Sequence, residues 1–298
     1  AVIFSEAPCA TAATFTTNQV KAAPVKVSQK HVRSDRVFAI VANSGNANAC
    51  TGVTGLANAR AMTEAAATAL GFHTREVLVC STGRIGRQLP MEVVRDGIAR
   101  AVREMSPDGG DRAARAIMTS DSVDKQVAVR MRIDGRMVTI GACAKGAGMI
   151  DPLMATMLCF VTTDAAIDKP TLERCLREAV EQSFNCICVD GDMSTNDTAL
   201  VLASGASGVA VDDAGEAAFT AGLAGVCARL ARMIARDGEG ATRLVEIRVT
   251  GAPDEPTAHR VGDAIARSPL VKTAIHGNDP NWGRILAAAG ASGAAIEP

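Results

Sequence analysis

Tyrosine is absent from these 298 residues, tryptophan occurs once, and aromatic residues make up only 3%. So sparse a supply leaves no stacking platform for nucleic-acid bases. An excess of charge is missing too. Lys and Arg number 31 against 32 Asp and Glu, a net charge of -1, whereas a nucleic-acid footprint needs a surplus of clustered cations. No uninterrupted apolar run reaches the ~18 residues that a membrane-spanning helix needs. The nine cysteines are scattered without a C-x-x-C pair, and Cys186-x-Cys188 has no His beside it to complete a zinc set. An odd number of thiols, mostly in apolar runs such as Val77-Leu78-Val79-Cys80, reads as reduced and cytoplasmic. Only four His occur (His31, His73, His259, His276), with no G-x-S-x-G and no H-E-x-x-H, so a hydrolytic triad has little support. No basic region precedes the apolar N-terminus, so this stretch does not read as a secretory signal. The chain also lacks an initiator Met and opens in a strand-like stretch, as a chain that starts partway into a longer one does.

What is there is an Ala- and Gly-rich chain long enough for one large or two modest domains, able to bury a core without staples. Val37 to Ala42 reads as a buried strand ending in the turn Asn43-Ser44-Gly45-Asn46. Leu56 to Leu70 reads as a helix stopped by Gly71. Val77 to Cys80 is a strand running into Ser81-Thr82-Gly83, and Pro90 opens an amphipathic helix with Val94, Ile98, Val102 and Met105 on one face. Gln126 to Ile133 and Met137 to Ala142 flank Asp134-Gly135 as a hairpin, and Met157 to Thr162 is a further strand. Asp168 and Pro170 start a helix. Phe184 to Val189 reads as a strand that leads into the polar loop Asp190 to Thr198. Ala214 to Arg236 and Thr257 to Arg267 read as helices, with a strand at Leu244 to Val249 between them. Hairpins beside helices that arrive singly indicate an α+β fold, not strict βαβ alternation.

Several motifs imitate known chemistry. Gly146-Ala147-Gly148 lacks the third Gly and the downstream acid of a dinucleotide fingerprint. The loop from Asp190 starts like a calcium loop, but Thr195 and Val201 stand where Gly and Glu belong. As an aspartyl-phosphate site it has no clear Lys partner, and a hydrogen-bonded turn explains it equally well. The segment from Lys145 to Leu158 differs in kind. A Gly-rich turn leads through Pro152 to the small Ala155, then Thr156, then an apolar strand. Attack of the Thr156 hydroxyl on the preceding carbonyl would cut the chain and leave a threonine carrying both nucleophile and base. An α-amine of pKa ~7.8 is about one-seventh neutral at pH 7, enough to act as a general base without histidine.

That segment resembles the self-cleavage site of the ornithine acetyltransferase family, also called glutamate N-acetyltransferase, of arginine biosynthesis. Further motifs of the same family run in order along nearly the whole chain: Asn18 to Pro24, Asn43 to Gly52, Ser81 to Gly86, Ala116 to Asp121, Asp190 to Thr198 and His276 to Arg284. The resemblance implies an arrangement of α/β/β/α layers, of the self-processing N-terminal-nucleophile type. Residues 1–165 would form the main sandwich and 166–298 a smaller α+β lobe. It implies cleavage between Ala155 and Thr156, then acetyl transfer from N-acetylornithine to glutamate through acetyl-Thr156. Thr82 and Gly83 would form the oxyanion hole, while Thr119, Lys145, Thr156 and Glu239 would bind substrate. No metal and no cofactor are implied; acetyl-CoA enters only as an alternative donor, on which no residue decides. The cleaved halves would stay together and pair into an α2β2 heterotetramer in the cytoplasm. Family members carry a further C-terminal stretch, and Leu153 stands where a polar residue is frequent. Two other classes are a self-processing amidase or aminopeptidase, in which water accepts the acyl group, and an uncleaved, non-catalytic homologue.

Overall fold

The computed structural model of the chain describes residues 1–151 and 157–296. Its strands are β1 (Val2–Phe15), β2 (Val37–Asn43), β3 (Val77–Ser81), β4 (Lys125–Ile133), β5 (Arg136–Lys145), β6 (Leu158–Thr163) and β7 (Thr198–Ala203). The helices are α1 (Ala23–His31), α2 (Gly52–Leu70), α3 (Met91–Arg103), α4 (Gly110–Ala116), α5 (Lys169–Glu181), α6 (Asp213–Arg236), α7 (Glu255–Arg267), α8 (Pro269–His276) and α9 (Trp282–Gly290). Local chemistry sets many of these ends. Gly71 takes φ +81° and closes α2, because a residue without Cβ enters the left-handed region freely. Asp134 and Gly135, at φ +50° and +76°, make the β4–β5 hairpin turn. Asp168 caps α5 by accepting from the Thr171 N–H at 3.1 Å.

The strands hydrogen-bond in the order β3-β2-β1-β7-β6-β5-β4. β1 is shared: its first half pairs with β2, and after a shift in register its second half pairs with β7. The two wings of the sheet face each other. Ile40 and Ala42 of β2 and Leu78 and Cys80 of β3 pack with Leu158 and Phe160 of β6 and Leu200 and Leu202 of β7. Side-chain alternation sends the intervening residues outward. Ala39, Val41, Val77 and Val79 meet α2 through Ala59, Met62 and Ala66. Cys159, Val161, Ala199 and Val201 meet Leu172 and Leu176 of α5 and Phe219, Leu223 and Leu230 of α6. The layers therefore run helix, sheet, sheet, helix, as expected, with both β layers drawn from one strand-sharing sheet.

The second half of the chain divides. Within the segment 166–298 expected as a lobe, α5, β7 and α6 belong to the sandwich itself, while α7 to α9 close a small core of Ile265, Val271 and Ala289. By length and composition α6 could cross a membrane. Its buried face of Phe219, Leu223, Cys227, Leu230 and Ile234 instead makes it a core helix of the sandwich. Two expected strands are corrected. Phe184–Cys186 is a short 3-10 turn, and the N–H of Val189 goes to the Ile150 carbonyl instead of a neighbouring strand. Residues 244–249 have strand-like alternation but no pairing, and Val245 and Ile247 are exposed. A period of two makes a strand only where an edge accepts its hydrogen bonds.

Candidate active site

The Gly-rich turn after β5 sits at the centre of the site, and Lys145 is the last residue of β5. The register places Lys145 opposite Leu158, which in turn lies opposite Thr198 of β7. Ala155 and Thr156, the expected cleavage pair, lie outside the described residues, but Met157 and Leu158 follow Thr156 directly. The Met157 N–H donates to Asp197 Oδ1 at 3.2 Å, and its carbonyl accepts from the Thr198 N–H at 3.1 Å.

Lys145 is 3% exposed and its Nζ has no hydrogen bond among the described residues; Asp121 Oδ2 is 3.8 Å away. Burial lowers the lysine pKa, and Lys125 lowers it further, against the pull of Asp121, Asp197 and Glu239. Asp121 is the hub here. It accepts from the backbone N–H of Thr119 at 3.0 Å and of Gly146 at 2.7 Å, and from Lys125 Nζ at 2.8 Å. Burial would raise its pKa, but these donors and Lys145 outweigh it and hold the carboxyl below its usual range. Lys125, fully buried, also pairs with Asp237 at 2.6 Å, just beyond the end of α6. Two residues on, the Glu239 N–H donates to the Ala147 carbonyl at 2.7 Å. The Glu239 carboxylate lies against Gly148, where any Cβ would stand 2.6 Å from its carboxyl carbon. Thr119, Lys145 and Glu239 thus converge on one turn.

Thr82 and Gly83 follow β3 on the neighbouring wing. Gly83 takes φ +129°, and a Cβ there would stand 2.2 Å from the Gly45 carbonyl carbon, so this turn admits only glycine. The Thr82 N–H donates to the Asn43 carbonyl at 3.1 Å, which leaves its hydroxyl, unbonded among the described residues, as the donor it can offer. Asn196 ties this turn to the centre: its Nδ2 donates to Ala47 O at 2.7 Å and to Ser81 O at 2.8 Å.

The acidic loop resolves into structural roles. Asp190 accepts from the backbone N–H groups of Met149, Ile150 and Asp192, holding the Gly-rich turn; it is the hydrogen-bonded turn foreseen as the alternative to a phosphatase site. No cluster of three metal-binding side chains occurs among the described residues. Sequence reasoning assigned no role to Asp121, Lys125, Asn196, Asp197 or Asp237. Their one signal was position: Asp121 closes the motif Ala116 to Asp121, and Asn196 and Asp197 lie inside Asp190 to Thr198.

A four-layer sandwich whose strand ends gather a tight Thr-Gly turn, a buried lysine and facing carboxylates is an enzyme scaffold. The chain belongs to the ArgJ family, whose sequence profile matches residues 1–298. It is 52% identical over 301 residues to the arginine biosynthesis bifunctional protein ArgJ of Symbiobacterium thermophilum, covering 100% of this chain and 75% of that one. The protein of the same name from Geobacter sulfurreducens is 51% identical, with 100% and 77% covered. Glutamate N-acetyltransferase of Methanocaldococcus jannaschii is 48% identical over 303 residues, with 100% and 75% covered. The membership implied by the sequence motifs therefore holds over the full chain.

Proposed function

We propose that this enzyme transfers acetyl from N-acetylornithine to glutamate through Thr156, in arginine biosynthesis. The relatives named for that pathway and for glutamate N-acetylation support the substrates. The observation that carries the chemistry is the register around Thr156: the two residues after it lie between Lys145 and the Asp197–Thr198 pair, and Asn196 links that pair to the Thr82 turn. Cleavage after Ala155 frees the Thr156 α-amine. The amine takes the hydroxyl proton as Oγ attacks the acetyl carbonyl, and the Thr82 hydroxyl and Gly83 N–H receive the oxyanion. Collapse expels ornithine, which leaves with the proton held by the amine. The amine of glutamate then attacks acetyl-Thr156, and the same steps run in reverse. Lys145 meets a substrate carboxylate and Glu239 a substrate ammonium, with Thr119 beside them. The cut halves remain paired in an α2β2 tetramer in the cytoplasm.

Denaturing mass spectrometry and an assay with N-acetylornithine and glutamate test this reading. The purified protein should appear as two chains split between Ala155 and Thr156. Thr156→Ala should stay whole and transfer nothing, whereas Thr156→Ser should cut and keep partial activity. Release of acetate in place of N-acetylglutamate would assign a hydrolase, and one intact, fully active chain would refute the mechanism.

A further inference from the structure

Asp197 carries a buried oxygen without a hydrogen-bond partner among the described residues. The residue is 0% exposed; Oδ1 accepts from the Met157 N–H, and among the described residues Oδ2 has no hydrogen bond. Burial pushes this carboxyl well above the usual carboxylate range, against the Met157 N–H, Ser194 and the charge of Lys145, the one charged group that acts on it among the described residues. An acid kept in such a place weakens the fold, so its retention needs a reason outside stability. Asn196, the residue before it, is 5% exposed and spends its amide on the carbonyls of Ala47 and Ser81. Two adjacent side chains therefore grip opposite sides of the site: one the peptide that follows Thr156, the other the strand end that precedes Thr82. The backbone is held on both sides of Asp197: the Asn196 carbonyl accepts from the Thr198 hydroxyl at 2.9 Å, and the Asp197 carbonyl accepts from the Thr16 N–H at 2.9 Å.

We propose that Asn196 and Asp197 are positioning residues that set the separation between the nucleophile and the oxyanion donors. The inference rests on the acetyl-transfer reading above. Neither side chain need touch substrate. An error of about 1 Å in such a separation costs on the order of 10²-fold in rate.

The test uses Asp197→Asn, which keeps an acceptor for the Met157 N–H, and Asp197→Leu, which keeps the shape and loses the acceptor. Self-cleavage is followed by intact mass, with kcat and KM for both substrates, the pH–rate profile and Tm. Asp197→Leu should cut slowly and lose about 10²-fold in kcat with little change in either KM. Asp197→Asn should retain cleavage and most of kcat, with a wild-type pH profile and a Tm equal to or above wild type. A folded Asp197→Leu with wild-type kcat overturns the proposal. So does an Asp197→Asn that falls as far as Asp197→Leu, or that loses a limb of its pH profile, which would make the carboxyl a proton carrier. If Asp197→Leu does not fold, Asn196→Ala severs the other grip and must show the same kcat loss at unchanged KM. Failure of the underlying reading would look different, since the wild-type protein itself would then be uncut or inactive.

Discussion

At the scale of single residues, the proposed reaction separates groups that bind from groups that act only on the transition state. As the proposed oxyanion donor, Thr82 would be of the second kind, because a hydroxyl that faces a developing oxyanion gains strength as charge builds. Thr82→Ala should lower kcat on the order of 10²-fold and leave KM nearly unchanged, as steady-state kinetics will show. Lys145, as the proposed partner of a substrate carboxylate, would be of the first kind and carry a pH signature. Burial holds its pKa below that of an ordinary lysine, so it loses its proton at a lower pH than a surface lysine would. Below the lowered pKa the ammonium is intact and meets a carboxylate; as pH rises through it, that attraction disappears. KM for glutamate should therefore begin to climb below pH ~10.4, the usual lysine value, while Lys145→Arg should move that rise to higher pH. A KM flat to that pH would remove Lys145 from the binding site.

The elements matter through where they stop. β3 ends at Ser81, and the turn beyond it closes on Gly45 so tightly that Gly83→Ala has to displace backbone. That variant should lose more than ~1 kcal/mol in denaturant unfolding and, by moving the Thr82 turn, cut kcat as well. The same ends explain what the sequence disclosed. The helices at 91–103, 169–181 and 213–236 announce themselves because each keeps one apolar face through several turns. The β4–β5 hairpin is readable because Asp134-Gly135 can do little else. β7 is not, since all six of its residues are buried and such a strand shows no alternation. The stretch 184–189 misleads for the converse reason, being apolar enough for a strand but bonded to a loop. At the site, family motifs lead to Thr82, Gly83, Thr119 and Lys145, and the wider resemblance alone leads to Glu239. The partners that fix them stay hidden because they are long-range: Lys125 and Asp237 stand 112 residues apart and meet at 2.6 Å. No local pattern shows which polar loop residues will be buried together.

For the whole molecule, the sheet order decides what a cut at Ala155–Thr156 would do. The segment before the cut supplies β1 to β5, and the segment after it supplies β6 and β7. Those two strands are inserted between β1 and β5, so each piece borders the other along both edges of the insertion. β7 pairs with β1 over six residues and β6 pairs with β5 over six, and Phe160 and Leu200 fill the space between the two wings. The buried Lys125–Asp237 pair crosses the same divide, and so does Asp197 through the main-chain N–H of Thr16. Neither piece can bury its apolar faces without the other, and the ladder bonds would be left open on both. The cut protein should therefore behave as one folding unit. Native mass spectrometry should find the two pieces only together, and urea should unfold both in a single transition, with circular dichroism and Trp282 fluorescence coinciding. Removing one carboxylate from Lys125, as in Asp237→Ala, should lower that shared midpoint without splitting it, by less than the ~3–5 kcal/mol that an unpaired buried charge costs, because Asp121 still holds the ammonium. Two separate transitions, or pieces that part in native buffer, would show that cleavage divides the sandwich instead of completing it.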